Sequence, residues 1–91
     1  MKTRVHVTLH GRVQGVGFRF NTKIKGILNG LKGWVKNNSD GTVEIIADGK
    51  KENIKKLISW CNKGPFMSRV DDIEVEWLKY QEEFKTFSIR F

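Results

Sequence analysis

The chain has 91 residues, 38% of them hydrophobic, with six Phe, three Trp and one Tyr. That is enough for one small domain with a sheet under a single layer of helix, and it excludes disorder. The formal charge of +7 suits an anionic partner without choosing among nucleic acid, a membrane surface and a phosphorylated small molecule. One cysteine, Cys61, excludes an intrachain disulfide, and no apolar run suits a leader or a bilayer span. The expectation is a soluble, cytoplasmic protein, with residues 1–91 forming one domain.

Val5, Val7 and Leu9 alternate with His6, Thr8 and His10, which predicts a half-buried strand over residues 3–10. A glycine-rich loop follows. Phe20, Ile24, Ile27, Leu28 and Leu31 then recur at helical spacing and predict a helix over 19–29 with that stripe inward, closed by Asn29-Gly30. "GWVKNNSDGTVEIIADG" reads as a hairpin, with Val35 inward, a turn at "NSDG", and Val43, Ile45 and Ala47 resuming the alternation. A second helix is predicted over 50–62, with Ile54, Leu57, Ile58 and Cys61 inside, Asp48 as its N-cap and Lys63-Gly64-Pro65 as its stop. Ile73, Val75 and Trp77 mark a further strand, and Phe87, Ile89 and Phe91 a short last one. The order β-α-β-β-α-β with one extra strand predicts an α+β, ferredoxin-like sandwich: a mostly antiparallel sheet with both helices on one face. His6, Thr8, Glu44 and Glu74 then belong to the open face.

The loop "GRVQGVGFR" places Arg19 in the first turn of a helix, where the partial charge is already positive. A ligand explains that placement. Gly15 and Gly17 let backbone N–H groups converge on an anion, and an arginine at the same mouth can fork two phosphate oxygens. An ordinary strand-to-helix connection is the plain alternative. The spacing is neither that of a nucleotide P-loop nor that of a dinucleotide fingerprint.

"GRVQGVGFR" followed by "GWVKNNSDG" resembles the acylphosphatase family, and the likeness runs through "DGTVEIIADG" and "KGP". The resemblance implies a ferredoxin-like fold and hydrolysis of the carboxyl-phosphate bond of acyl phosphates. It implies a phosphate-binding loop of Gln14, Gly15, Val16, Gly17, Phe18 and Arg19, with Arg19 essential and Asn37 positioning the attacking water. Ser39 stands where the family often has proline or threonine. Asn21 and Thr22 stand where some members carry a histidine. Asn37's role also rests on an expected neighbouring position of the first two strands.

Nothing else in the chain suggests catalysis. His6 and His10 read as open-face residues rather than metal ligands, Cys61 as core, and Asp71-Asp72 and Glu82-Glu83 as solvated loop charges. Trp34, Trp60 and Trp77 read as core or edge aromatics. No metal or cofactor is expected, and the proposed partners are a small acyl phosphate and its product, inorganic phosphate, with no nucleic acid, no membrane and a monomeric state. The alternative is a non-catalytic ferredoxin-like module that binds an anion or RNA, although "TVEIIADG" lacks the aromatics of an RNA-binding strand. A carbamoyl-phosphate-handling or regulatory domain on the same scaffold fits the motif equally well.

Overall fold

The alternating segment at the start of the chain becomes an interior strand, second from one edge of a five-stranded sheet. A computed structural model describes residues 1–91, in the order β1 (Lys2–Arg12), α1 (Phe18–Leu28), β2 (Lys32–Asn37), β3 (Val43–Lys50), α2 (Lys51–Lys63), β4 (Arg69–Leu78) and β5 (Phe87–Arg90). The strands lie in the order β4-β1-β3-β2-β5. β1 is antiparallel to both its neighbours, β2 is antiparallel to β3, and β5 adds to β2 in parallel. This is the ferredoxin-like sandwich with an extra strand.

The first two strands are not neighbours as expected. α1 crosses over and returns the chain one strand further along, and β3 fills the gap because a short turn folds it back on β2. The two strands nonetheless run parallel and stay in step. Val43 of β3 is opposite Leu9 on one side and Asn37 on the other, so the ends of β1 and β2 open at the same edge of the sheet.

Val5, Val7, Leu9, Val35, Val43 and Ile45 point to one face and are fully buried under both helices. Each buried side chain of this size contributes roughly 1.5–3 kcal/mol. α2 seats Ile54, Leu57 and Cys61 as expected. α1 does not follow its apolar stripe. Phe20, Ile24, Ile27 and Leu28 are exposed, and the buried positions are Phe18, Thr22 and Gly26, with Leu31 beyond the helix end. The reason is steric. A Cβ on Gly26 would lie 2.5 Å from the ring of Phe87, so the bare side of the helix is the one that lets α1 close on β5. Phe18 then meets Trp60 of α2 with ring centroids 5.3 Å apart.

Three other expectations change. Asp48 does not cap α2; the N-cap position is Lys50, without a side-chain cap. Asp48 instead lies in β3 and is buried, accepting from Arg4 Nε at 2.6 Å and Nη2 at 2.9 Å. A buried arginine requires such a partner, and the pairing pushes the Arg4 pKa further up. Asp71 and Asp72 belong to β4 rather than to a loop, and Glu83 reaches Arg4 Nη1 at 2.6 Å. Trp77 is 40% exposed, with Lys51 Nζ 5.1 Å from its ring centroid, while Trp34 lies beside Lys36 and Arg90.

Candidate active site

Between β1 and α1 the backbone takes left-handed conformations at Gly15, with φ of 74°, and at Gly17, with φ of 78°. A Cβ at Gly15 would meet nothing within 4 Å, so glycine is used there for conformation and not for space. Alternation between right- and left-handed residues is the arrangement in which successive N–H groups turn toward one point. Gly17 is the N-cap of α1 and supplies no capping side chain, and the first turn holds no acidic residue. The free N–H groups of that turn therefore face no acceptor from a cap. Asn21 Nδ2 donates to the Gly17 carbonyl at 2.8 Å and braces the loop from the helix side.

Arg19 and Asn37 meet at this edge. With Val13, Gly15, Gly17, Phe18, Phe20, Ile89 and Phe91 they line one cleft of about 170 Å³. Arg19 forms no ion pair and no hydrogen bond; its guanidinium lies 5.1 Å from the ring centroid of Phe91. This cation–π contact leaves its N–H donors without a protein acceptor. It is the only charged side chain of the cleft, so the local field favours an anion. Asn37 Oδ1 is buried and finds no hydrogen-bond partner. Such an unpartnered acceptor costs about 1–3 kcal/mol, and Asn37 shares the cleft with Arg19.

Gln14 and Val16 are not among the cleft-lining residues. Gln14 Nε2 donates to the carbonyls of Asn38 at 2.7 Å and Thr42 at 2.9 Å, tying the glycine loop to the β2–β3 turn. Val16 packs against the core. The turn is itself braced: Asn38 Nδ2 donates to Thr42 Oγ1, and the Thr42 hydroxyl and N–H both donate to Asp40 Oδ1. Those two donors hold the Asp40 carboxyl below its usual pKa. Phe20, Ile89 and Phe91 are cleft residues that the sequence reading placed elsewhere, Phe20 in a core stripe and the other two in an alternating strand. Only the face of α1 that carries Thr22 and Gly26 could have signalled Phe20's position.

Both histidines are paired. His6 Nε2 pairs with Glu44 Oε2 at 2.6 Å and holds that carboxyl below its usual pKa, and His10 pairs with Glu74 across β1 and β4. These carboxylate partners come from other strands and left no local motif. Burial pushes the Cys61 thiol up to about 12, too high for a thiolate nucleophile. Nowhere do three His, Cys, Asp or Glu side chains gather as metal ligands.

Comparison with known proteins identifies the family of the chain. The family model described as acylphosphatase matches residues 5–89. An acylphosphatase of Pyrobaculum aerophilum is 48% identical over 94% of this chain and 92% of its own length. One from Pelotomaculum thermopropionicum is 42% identical over 99% of this chain and 98% of its own. The crystal structure of acylphosphatase from Bacillus subtilis superposes over the full length of both chains with a TM-score of 0.94 at 36% identity.

Proposed function

The chain belongs to the acylphosphatase family and hydrolyses acyl phosphates, and from this we propose that Arg19 with the amides of the Gly15–Gly17 loop holds the phosphoryl group while Asn37 places the water. The observation that carries the assignment is an arginine with no counter-ion in one cleft with Asn37 and the glycines of the loop. Arg19 forks two equatorial oxygens of the phosphoryl group, and the N–H groups of the loop and of the first turn of α1 take the charge that develops on them. The Asn37 amide hydrogen-bonds the attacking water and orients it for in-line attack on phosphorus.

The phosphoryl centre passes through a loose transition state, so positioning and electrostatics dominate. The P–O bond to the acyl oxygen breaks, and its electron pair leaves on a carboxylate, which needs no protonating acid. The new O–P bond forms from water, whose proton passes to a phosphoryl oxygen. Carboxylate and inorganic phosphate result. Each well-placed donor contributes about 2.7–4 kcal/mol to such a transition state.

Paired kinetics on two variants test these roles. Arg19→Gln is expected to lower turnover and to weaken competition by inorganic phosphate together. Asn37→Ala is expected to lower turnover by roughly 10²-fold or more while phosphate inhibition persists. Neither variant should unfold the protein, since Arg19 is locally unfavourable at a helix N-terminus and Asn37 Oδ1 has no partner to lose. An Asn37→Ala enzyme that is folded and fully active would refute the water-placing role. In wild type, phosphate should shift the amides of residues 14–19 first in an NMR titration and raise thermal stability by mass action.

A further inference from the structure

The two helices divide the outer surface of their layer between apolar and basic side chains. On α1, Phe20, Ile24, Ile27 and Leu28 recur at helical spacing and are between 39% and 74% exposed, on the side opposite the buried Phe18, Thr22 and Gly26. On α2, Lys51, Lys55, Lys56 and Lys63 are exposed while Ile54, Leu57 and Cys61 are buried. Trp60 of α2 meets Phe18 of α1, and Lys56 and Lys63 share the helical flank of Trp60, so they lie on the side toward α1. A stripe of four large apolar side chains in water thus lies beside ammonium groups.

Charge is segregated in the same place. α1 and α2 hold seven of the 17 Lys and Arg but only Glu52 of the ten Asp and Glu, which leaves ten basic against nine acidic residues in the rest of the chain. The net charge of +7 therefore belongs almost entirely to the helical layer.

These features choose the occupant. A second copy pairing through α1 would set Arg19, Lys23 and Lys25 against their own counterparts, with no acidic residue on that helix to offset them. A nucleic acid would use the lysines and leave the apolar stripe in water. No cleft is lined by Ile24, Ile27 or Leu28, so the stripe is a ridge and not a groove for another protein's side chains. An anionic bilayer surface takes both parts. Apolar side chains enter the boundary between headgroups and acyl chains, flanking cations reach the phosphates, and a plane of lipid needs no matching shape.

We propose that the outer face of α1, with Lys56 and Lys63 of α2 beside it, is a docking face for an anionic phospholipid surface. The sequence reading expected no membrane partner, with this stripe placed in the core. Docking is peripheral, since no helix is long and apolar enough to cross a bilayer.

The test is co-sedimentation with vesicles of phosphatidylcholine alone and of an equal mixture with phosphatidylserine, on wild type, Leu28→Ser and the double variant Lys56→Ala/Lys63→Ala. All three residues are exposed and lie outside the cleft, so hydrolysis of acetyl phosphate in solution should match wild type and report correct folding. Wild type should bind the anionic vesicles and not the neutral ones, and high salt should weaken that binding. Leu28→Ser should weaken it about tenfold, and the double variant by about fivefold for each ammonium group removed. Wild type that ignores the anionic vesicles, or binds neutral ones as tightly, overturns the proposal. So does wild-type affinity in the double variant. Wild-type affinity in Leu28→Ser overturns it too, since the lysines alone would then adsorb the protein to any polyanion, nucleic acid included. A dimer in light scattering that Leu28→Ser dissolves, without vesicle binding, would assign the stripe to a second copy.

Discussion

The Gln14 side chain lies outside the cleft that Arg19 and Asn37 line and is taken up in a brace. Its amide spans from the glycine loop to two carbonyls of the β2–β3 turn, and that turn follows directly on Asn37. It thereby sets the loop that bears Arg19's helix against the strand that bears Asn37. Gln14→Ala should destabilise the protein by about 1–3 kcal/mol, since two partly buried carbonyls lose their donor. It should also lower kcat by more than the unfolded fraction explains; urea melts and steady-state rates on the same preparation decide this. A variant as active as wild type per folded molecule would mean that the loop holds its shape unaided. The sequence made the residue conspicuous, but its motif reads as a phosphate ligand. The distant carbonyls that Gln14 engages become its neighbours only once β3 lies between β1 and β2. Arg19 was legible for a better reason, because its conflict with the helix terminus is local. Asn37 alone reads as ordinary turn chemistry, and its isolation from any partner exists only in the folded chain.

At the scale of elements, strands and helices fail differently. Alternation placed Val5, Val7, Leu9, Val43 and Ile45 correctly, because a strand has two faces and one of them is polar. α1 offers two competing faces, and counting apolar residues chooses the wrong one when the fit depends on a missing side chain. Gly26→Ala tests this. In an exposed helix interior the change gains roughly 0.5–1 kcal/mol. Here the added methyl would stand 2.5 Å from the Phe87 ring, so overpacking should reverse the sign and cost about 1–3 kcal/mol, read by denaturant unfolding. Between strands, the pairs His6–Glu44 and His10–Glu74 join β1 to its neighbours on either side. The pKa of His10 is raised from 6.5, chiefly by its hydrogen bond to Glu74. A raised folded-state value stabilises below the unfolded pKa and is lost as pH rises through the folded one. The stability difference between wild type and His10→Gln should therefore be largest just below pH 6.5, with Glu74 ionised, and vanish at higher pH. Glu44, held low, acts in the opposite sense: its contribution is present above its ordinary value of 4.5 and lost as pH falls through the folded one. Urea midpoints across pH for both proteins measure the two effects.

For the molecule as a whole, the donors that could hold a metal are spread out or paired, with no three gathered. Turnover should thus survive a strong chelator; loss of activity restored by Mg²⁺ or Zn²⁺ would contradict the scheme of arginine, amides and water. The strand order β4-β1-β3-β2-β5 carries a consequence for biosynthesis. Arg19 and Asn37 leave the ribosome early, and β3, which holds their strands in step, follows soon after. Yet β1 keeps one bare flank until β4 is made up to Leu78, and β2 keeps one until β5 is made up to Arg90. Translation adds roughly 5–20 residues per second, so the nascent chain carries Arg19 and Asn37 for seconds before either flank is covered. A chain stalled after α2 therefore offers two unpaired strand edges to any neighbour on the same message.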